Sequence, residues 1–121
     1  MKTKANLLVW SALLILLAYS CGRSCADLPK TFKNYEAAID QVEAASFAID
    51  ETVKTPESSW IKSATFSSCD GNLGFFLLRV KDETYIYQDV PLELWEGFKQ
   101  TDSKGGFYNR EIKGRYKLQR E

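Results

Sequence analysis

The spacing of apolar residues in the first half of the chain changes near residue 45. Before that point they recur every three or four positions, which is typical of one face of an amphipathic helix, and Thr31 is a suitable residue to begin it. The apolar stripe of this helix contains Phe32, Tyr35, Ile39 and Val42. From residue 47 to 54 apolar and polar residues alternate, which predicts a strand that Pro56 ends.

Three further strands are predicted in the second half of the chain. Alternation over residues 60–68 predicts the first, and Asp70-Gly71-Asn72 predicts the hairpin turn that follows it. The return strand, 74–81, is apolar on both faces, so we expect it inside the sheet. The next strand covers residues 84–89. Strands in this succession predict an antiparallel meander with helices packed on one face.

A short amphipathic helix is predicted after the last of these strands. Pro91 suits its first turn, and its apolar stripe contains Leu92, Trp95 and Phe98. We interpret Lys104-Gly105-Gly106 as its end, because glycine accepts a left-handed C-terminal turn. Residues 116–119 are predicted to form a final short strand. The fold class is therefore α+β, with an antiparallel meander sheet of about four to five strands and an N-terminal helix. A short helix follows the strand that contains Tyr85-x-Tyr87.

The first 20 residues have the pattern of a signal peptide. Two lysines precede an apolar run over 7–18, which is shorter than the roughly 20 residues that a membrane span needs. The sequence Ala18-Tyr19-Ser20-Cys21 resembles a bacterial lipoprotein signal, in which the cysteine is lipidated and becomes the mature N-terminus. The alternative is cleavage after Ala26, which would release a soluble exported protein. We therefore divide the chain into a signal peptide, a lipid-attached tether, an N-terminal helix and strand, and a main domain, at residues 1–20, 21–30, 31–57 and 58–121.

The cysteines and the absence of histidine limit the chemistry of the chain. With Cys21 lipidated, Cys25 and Cys69 remain and could form a disulfide in an oxidising compartment. The favoured interpretation is a free thiol at Cys25 and a small buried residue at Cys69. Without histidine, the chain lacks the commonest general base, and two remaining cysteines cannot complete a zinc site. We expect no catalytic residue, no metal and no cofactor.

Basic residues are concentrated at the C-terminus. Residues 97–121 contain seven bases and three acids, whereas residues 27–96 are net acidic. Bases interleaved with aromatic residues can bind phosphates while nucleobases stack, but the acidic remainder supplies no broad positive field. The favoured interpretation is that the aromatic residues are core and the bases a solvated rim. Contact with anionic lipid headgroups or with another envelope protein is an alternative use of the bases.

The second half of the chain contains a series of short motifs: Tyr85-x-Tyr87, Val90-Pro91, Trp95, Phe98, Ser103-Lys104-Gly105-Gly106-Phe107-Tyr108-Asn109 and Ile112-Lys113. Over about 58–118 this series resembles the KTSC domain, a family named for the C-terminal domain of some lysyl-tRNA synthetases. It implies a compact α+β module with the Tyr-x-Tyr in a central strand. The synthetase context suggests RNA binding, whereas the export signal argues against it.

From the sequence we expect an exported, lipid-anchored binding or interaction module of the cell envelope, not an enzyme. Its partners would be the membrane, through the lipid on Cys21, and another envelope protein. The candidate partner face comprises Tyr85, Tyr87, Lys104, Tyr108, Arg110, Lys113 and Arg115. The two strand tyrosines share a face, and we expect that replacing either by alanine mainly unfolds the domain. An RNA-binding module is the alternative, and a small envelope enzyme is a weaker one.

Overall fold

A computed structural model describes residues 23–121, so the predicted signal peptide and Cys21 lie outside the described residues. The larger sheet has four antiparallel strands, and strands that are neighbours in the sheet are also neighbours along the chain. The strands are β3 (Ile49–Lys54), β4 (Ile61–Ser68), β5 (Leu73–Val80) and β6 (Glu83–Pro91). This meander confirms the α+β prediction, and the predicted strand ends differ from these by at most two residues.

The strand β5 lies inside the sheet, as its two-sided apolar sequence predicted. Phe76 and Leu78 belong to the core on one face, and Leu77 belongs to the core on the other. The family resemblance had implied a central position for Tyr85 and Tyr87, and this expectation is wrong. Both tyrosines lie on β6, which is an edge strand.

Helices cover both faces of the sheet, not one face as expected. They are α1 (Tyr35–Ala44), α2 (Leu92–Gln100) and α3 (Lys104–Phe107), and a π-helical turn follows at Tyr108–Ile112. Residues of α2 and of the π-helical turn pack on the face of Phe76, while residues of α1 pack on the face of Leu77. Because β5 is apolar on both sides, each face must be removed from water.

The helix α1 begins later than the sequence indicated. Asn34 is its N-cap, and the Asn34 Oδ1 accepts a hydrogen bond of 2.8 Å from the Ala37 backbone N–H. Phe32 lies before the helix, in an isolated bridge with Arg120. Tyr35, predicted to belong to the buried stripe, is 46% exposed. The pairing of residue 32 with the C-terminal segment therefore moves the start of the helix by three residues.

The glycines after α2 do not end that helix. The C-cap of α2 is Thr101, in extended conformation, and Ser103 then begins α3 by accepting a hydrogen bond from the Gly106 backbone N–H at 3.3 Å. Left-handed glycines occur instead between β4 and β5, where Gly71 has a φ of 77°, and after the π-helical turn, where Gly114 has a φ of 80°. The predicted strand over 116–119 is absent, and only isolated bridges occur there among residues 23–121.

The N-terminal segment is tied to the sheet by a disulfide between Cys25 and Cys69, whose Cα atoms are 5.8 Å apart. The interpretation of Cys25 as a free thiol and Cys69 as a buried residue is therefore wrong, and the disulfide alternative holds. The short strand β1 (Arg23–Ser24) also pairs in parallel with β2 (Ala45–Ser46). No helix among residues 23–121 combines the length and the apolar character that crossing a membrane requires.

Candidate binding surfaces

The two strand tyrosines have different environments. The Tyr87 hydroxyl is hydrogen-bonded to the Tyr108 hydroxyl, and burial together with this hydrogen bond raises the pKa of Tyr87. Tyr85 is 41% exposed and donates a hydrogen bond of 2.7 Å to the Glu83 carboxylate. That hydrogen bond raises the pKa of Tyr85. Tyr87 packs against the core whereas Tyr85 is partly exposed, so we expect replacement by alanine to cost less packing at Tyr85 than at Tyr87.

A cavity of about 410 Å³, here called the tyrosine groove, lies beside these residues. Its lining consists of Tyr35, Thr84, Tyr85, Ile86, Tyr87, Lys117 and Leu118. Consecutive residues of a strand point to opposite faces, so a cavity lined by all four residues from 84 to 87 lies along the strand's edge. The Arg120 guanidinium lies over the Tyr35 ring, 4.9 Å from its centroid, and adds positive charge next to Lys117.

The edge of β6 at the tyrosine groove is an open sheet edge. In residues 23–121, no backbone hydrogen bond outside the sheet itself involves residues 84–88. Farther along, the Gln88 side chain donates to the Lys30 carbonyl at 3.1 Å and accepts from the Gln119 N–H at 2.9 Å. The C-terminal segment therefore meets β6 at Gln88 and leaves the strand open from Thr84 to Tyr87.

A second cavity, here called the Trp60 groove, has a volume of about 320 Å³ and a different lining. It contains Glu57, Ser58, Ser59, Trp60, Asp102, Ser103, Lys104, Gly105, Gly106 and Asn109. Apart from the indole and the two glycines, these residues are polar. The segment before β4 and the start of α3 form the two walls.

Lys104 is a structural residue and not part of an exposed partner face. It is only 9% exposed, and its ammonium donates hydrogen bonds to the carbonyls of Lys99 at 3.0 Å and Thr101 at 2.8 Å. These carbonyls belong to the C-terminal end of α2, where a positive charge is favourable. The ammonium also lies 5.6 Å from the centroid of the Phe98 ring.

The other three bases of the predicted face, Arg110, Lys113 and Arg115, are exposed and line neither groove. Arg110 forms an ion pair of 3.1 Å with Glu111. The structure thus brings Tyr85 and Tyr87 together with Lys117 rather than with the predicted bases. Tyr35 and Lys117 were missed because they come from distant segments that only the folded chain brings together.

Hydrogen bonds between β3 and α2 are another feature that the sequence did not reveal. The Trp95 indole N–H donates to Glu51 Oε1 at 2.9 Å, and the Lys99 ammonium contacts the same oxygen at 3.2 Å. These bonds lower the pKa of Glu51. In the sequence, Glu51 is the single acid on the otherwise apolar face of β3, and this was the signal that could have revealed the contact.

Within residues 23–121, no group of three or more acids and cysteines could hold a metal ion.

Comparison with protein families supports the resemblance seen in the motifs. Residues 57–116 match the family model described as the KTSC domain. No curated protein and no solved structure matches the chain. The matched segment includes every residue that lines the Trp60 groove, whereas the tyrosine groove takes Tyr35, Lys117 and Leu118 from outside it.

Proposed function

Residues 57–116 belong to the KTSC domain family, and we propose that they form the core of an exported, lipid-anchored module that binds an extended segment of another envelope protein. The observation that carries this proposal is the tyrosine groove, an apolar cavity along an open strand edge. Two of its aromatic side chains, Tyr35 and Tyr85, are 46% and 41% exposed.

The disulfide supports the proposed location outside the cytoplasm. Disulfides form and persist in oxidising compartments and are rare in the cytosol. The bridge between Cys25 and Cys69 therefore agrees with the signal pattern of residues 1–20 and with lipidation of Cys21. Intact mass of the mature protein tests this part of the proposal. We expect a chain that begins at Cys21 and carries acyl groups, while an unmodified full-length chain would contradict it.

An extended peptide is the occupant that fits the tyrosine groove. An open strand edge offers unpaired backbone N–H and C=O groups to an added strand, and the neighbouring cavity receives side chains of that strand. Lys117 lines the groove and the Arg120 guanidinium lies over its Tyr35 ring, so an acidic side chain beside an apolar one suits it best. A membrane tether would raise the effective concentration of the module toward partners in the same envelope.

Selection of a displayed random decapeptide library on the mature lipid-anchored protein in detergent micelles tests the binding mode. We expect the selected peptides to combine apolar residues at alternate positions with an acid, and Tyr35→Ser to weaken their affinity at least tenfold. Trp60→Ser is the matched control, because it removes an exposed aromatic ring from the other groove and should leave peptide affinity unchanged. Selected peptides that bind the Tyr35→Ser variant as tightly as wild type would refute the assignment.

The same preparation decides between this proposal and the RNA alternative. RNA binding through the C-terminal bases would weaken steeply with salt and with the double change Lys113→Ala and Arg115→Ala. We expect the affinity for a single-stranded RNA to be low and insensitive to Tyr35→Ser. Tight, salt-dependent RNA binding lost in the double variant would favour the alternative.

A further inference from the structure

We infer that the Trp60 groove is a carbohydrate-binding site that takes a neutral glycan. This site is separate from the tyrosine groove and lies entirely within residues 57–116. The inference depends on the fixed position of one aromatic ring and on the unpartnered polar side chains around it.

The indole of Trp60 is exposed and yet held in one position. Its ring meets the Tyr108 ring edge-on, with centroids 5.8 Å apart, and 39% of the residue remains exposed. A Cβ atom at residue 105 would lie 2.7 Å from the Trp60 Nε1, so the glycine there is what allows the indole to lie against α3. A rigid aromatic ring loses little conformational entropy when a ligand packs on it.

Four polar side chains in the groove are free to bind a ligand. Glu57, Ser59, Asp102 and Asn109 line it, and none of their side chains hydrogen-bonds to another group of residues 23–121. Carboxylates accept hydrogen bonds from hydroxyl groups, and the amide of Asn109 both donates and accepts. The other three polar lining residues are already engaged: Ser58 accepts from the Ile61 N–H, Ser103 accepts from the Gly106 N–H, and Lys104 donates to the end of α2.

Sugars match this combination better than other classes of small ligand. A pyranose ring presents an apolar C–H face that packs on an indole, together with hydroxyls that reach carboxylates and amides at the ring's edge. An anionic ligand would be repelled by the carboxylates of Glu57 and Asp102. The ammonium of Lys104 does not offset this repulsion, because it donates to two backbone carbonyls. A purely apolar ligand would leave these carboxylates desolvated. The volume of about 320 Å³ suits a small ligand or one end of a chain.

Side-chain NMR of the mature protein in detergent micelles tests the inference, because each indole gives its own N–H signal. The probes are neutral tetrasaccharides of N-acetylglucosamine, glucose, galactose and mannose. We expect at least one of them to shift the Trp60 indole signal saturably. The Trp95 signal should not move, since that indole is buried and bonded to Glu51.

Two variants and one control complete the test. Trp60→Ser, followed through the Asn109 side-chain amide signals, and Asp102→Asn, followed through the Trp60 indole signal, should each weaken sugar affinity at least tenfold. An unchanged Trp95 signal shows that both variants remain folded. Tyr35→Ser should leave sugar affinity unchanged, which separates this site from the tyrosine groove. Failure of all four neutral probes would overturn the inference. Binding of a cationic glucosamine tetrasaccharide alone would also overturn it, because simple attraction to the two carboxylates would then explain the site.

Discussion

Replacing Lys104 by methionine distinguishes a structural role for this lysine from a role in partner binding. The change keeps most of the side-chain stem and its packing but removes the ammonium. The carbonyls of Lys99 and Thr101 at the end of α2 then lose their hydrogen-bond donor in a buried environment. We expect the free energy of unfolding to fall and the grooves to keep their affinities.

The magnitude follows from the two hydrogen bonds, which are 3.0 and 2.8 Å long. A hydrogen bond to a charged group contributes about 1.5–3 kcal/mol. The two bonds share one donor and are not additive, and the nearby Phe98 ring adds to the same effect. We therefore expect a loss of about 2–3 kcal/mol for Lys104→Met. For a domain of this size each kcal/mol lowers the melting temperature by roughly 4–8 °C.

Urea unfolding, followed by circular dichroism, measures this loss. Lys113→Met is the matched control, because it makes the same substitution at an exposed lysine, and we expect a change within about 0.5 kcal/mol. A Lys104→Met protein as stable as wild type would refute the reasoning. A Lys104→Met protein that loses affinity for a ligand but keeps its stability would show that Lys104 belongs to the partner face that the sequence suggested.

Two further predictions concern the disulfide and the hydrogen-bonded pair of Tyr87 and Tyr108. Replacing Cys25 and Cys69 by serine should lower the free energy of unfolding by up to about 4 kcal/mol, since the bridge spans 44 residues and restricts the unfolded chain; equal urea midpoints with and without reductant would contradict this. Tyr87→Phe should cost about 1 kcal/mol at pH 7, because it removes the hydrogen bond to Tyr108. Burial raises the pKa of Tyr87, so the wild-type protein keeps its advantage below a pH of about 10 and then loses about 1.4 kcal/mol per pH unit relative to the variant. Unfolding curves from pH 8 to 12 test this, and a constant difference over that range would show that the hydroxyl of Tyr87 is not held neutral by the fold.

The sheet could be predicted from the sequence because local patterns determine it. The two-sided apolar run of β5 and the Asp70-Gly71 turn each indicate their structure without distant information. The start of α1 could not be predicted, since Thr31 and Asn34 are both suitable caps and only pairing with the C-terminal segment decides between them. A lysine followed by two glycines indicates an exposed turn, and the burial of Lys104 depends on where α2 ends.

The tyrosine groove was predicted less well than the fold because it combines segments that are far apart in the chain. Tyr85 and Tyr87 were selected from the sequence as candidates, but the cavity beside them also needs Tyr35 and Lys117. Similarly, the pairing of cysteines depends on a distance that spacing along the chain does not give. The two-residue strand β1 and its neighbour β2 are too short for any period to be recognised.

The disulfide also decides which end of the sheet a lipid on Cys21 would bring close to a bilayer. Cys69 follows β4 and Trp60 precedes it, so the two residues lie at opposite ends of a strand of eight residues, roughly 27 Å apart at about 3.4 Å per residue. A lipid on Cys21 would be at most about 14 Å of extended chain from the bridged Cys25. The bridge would therefore keep the Cys69 end of β4 within about 14 Å of chain from the lipid, whereas the indole of Trp60 lies at the other end of the strand.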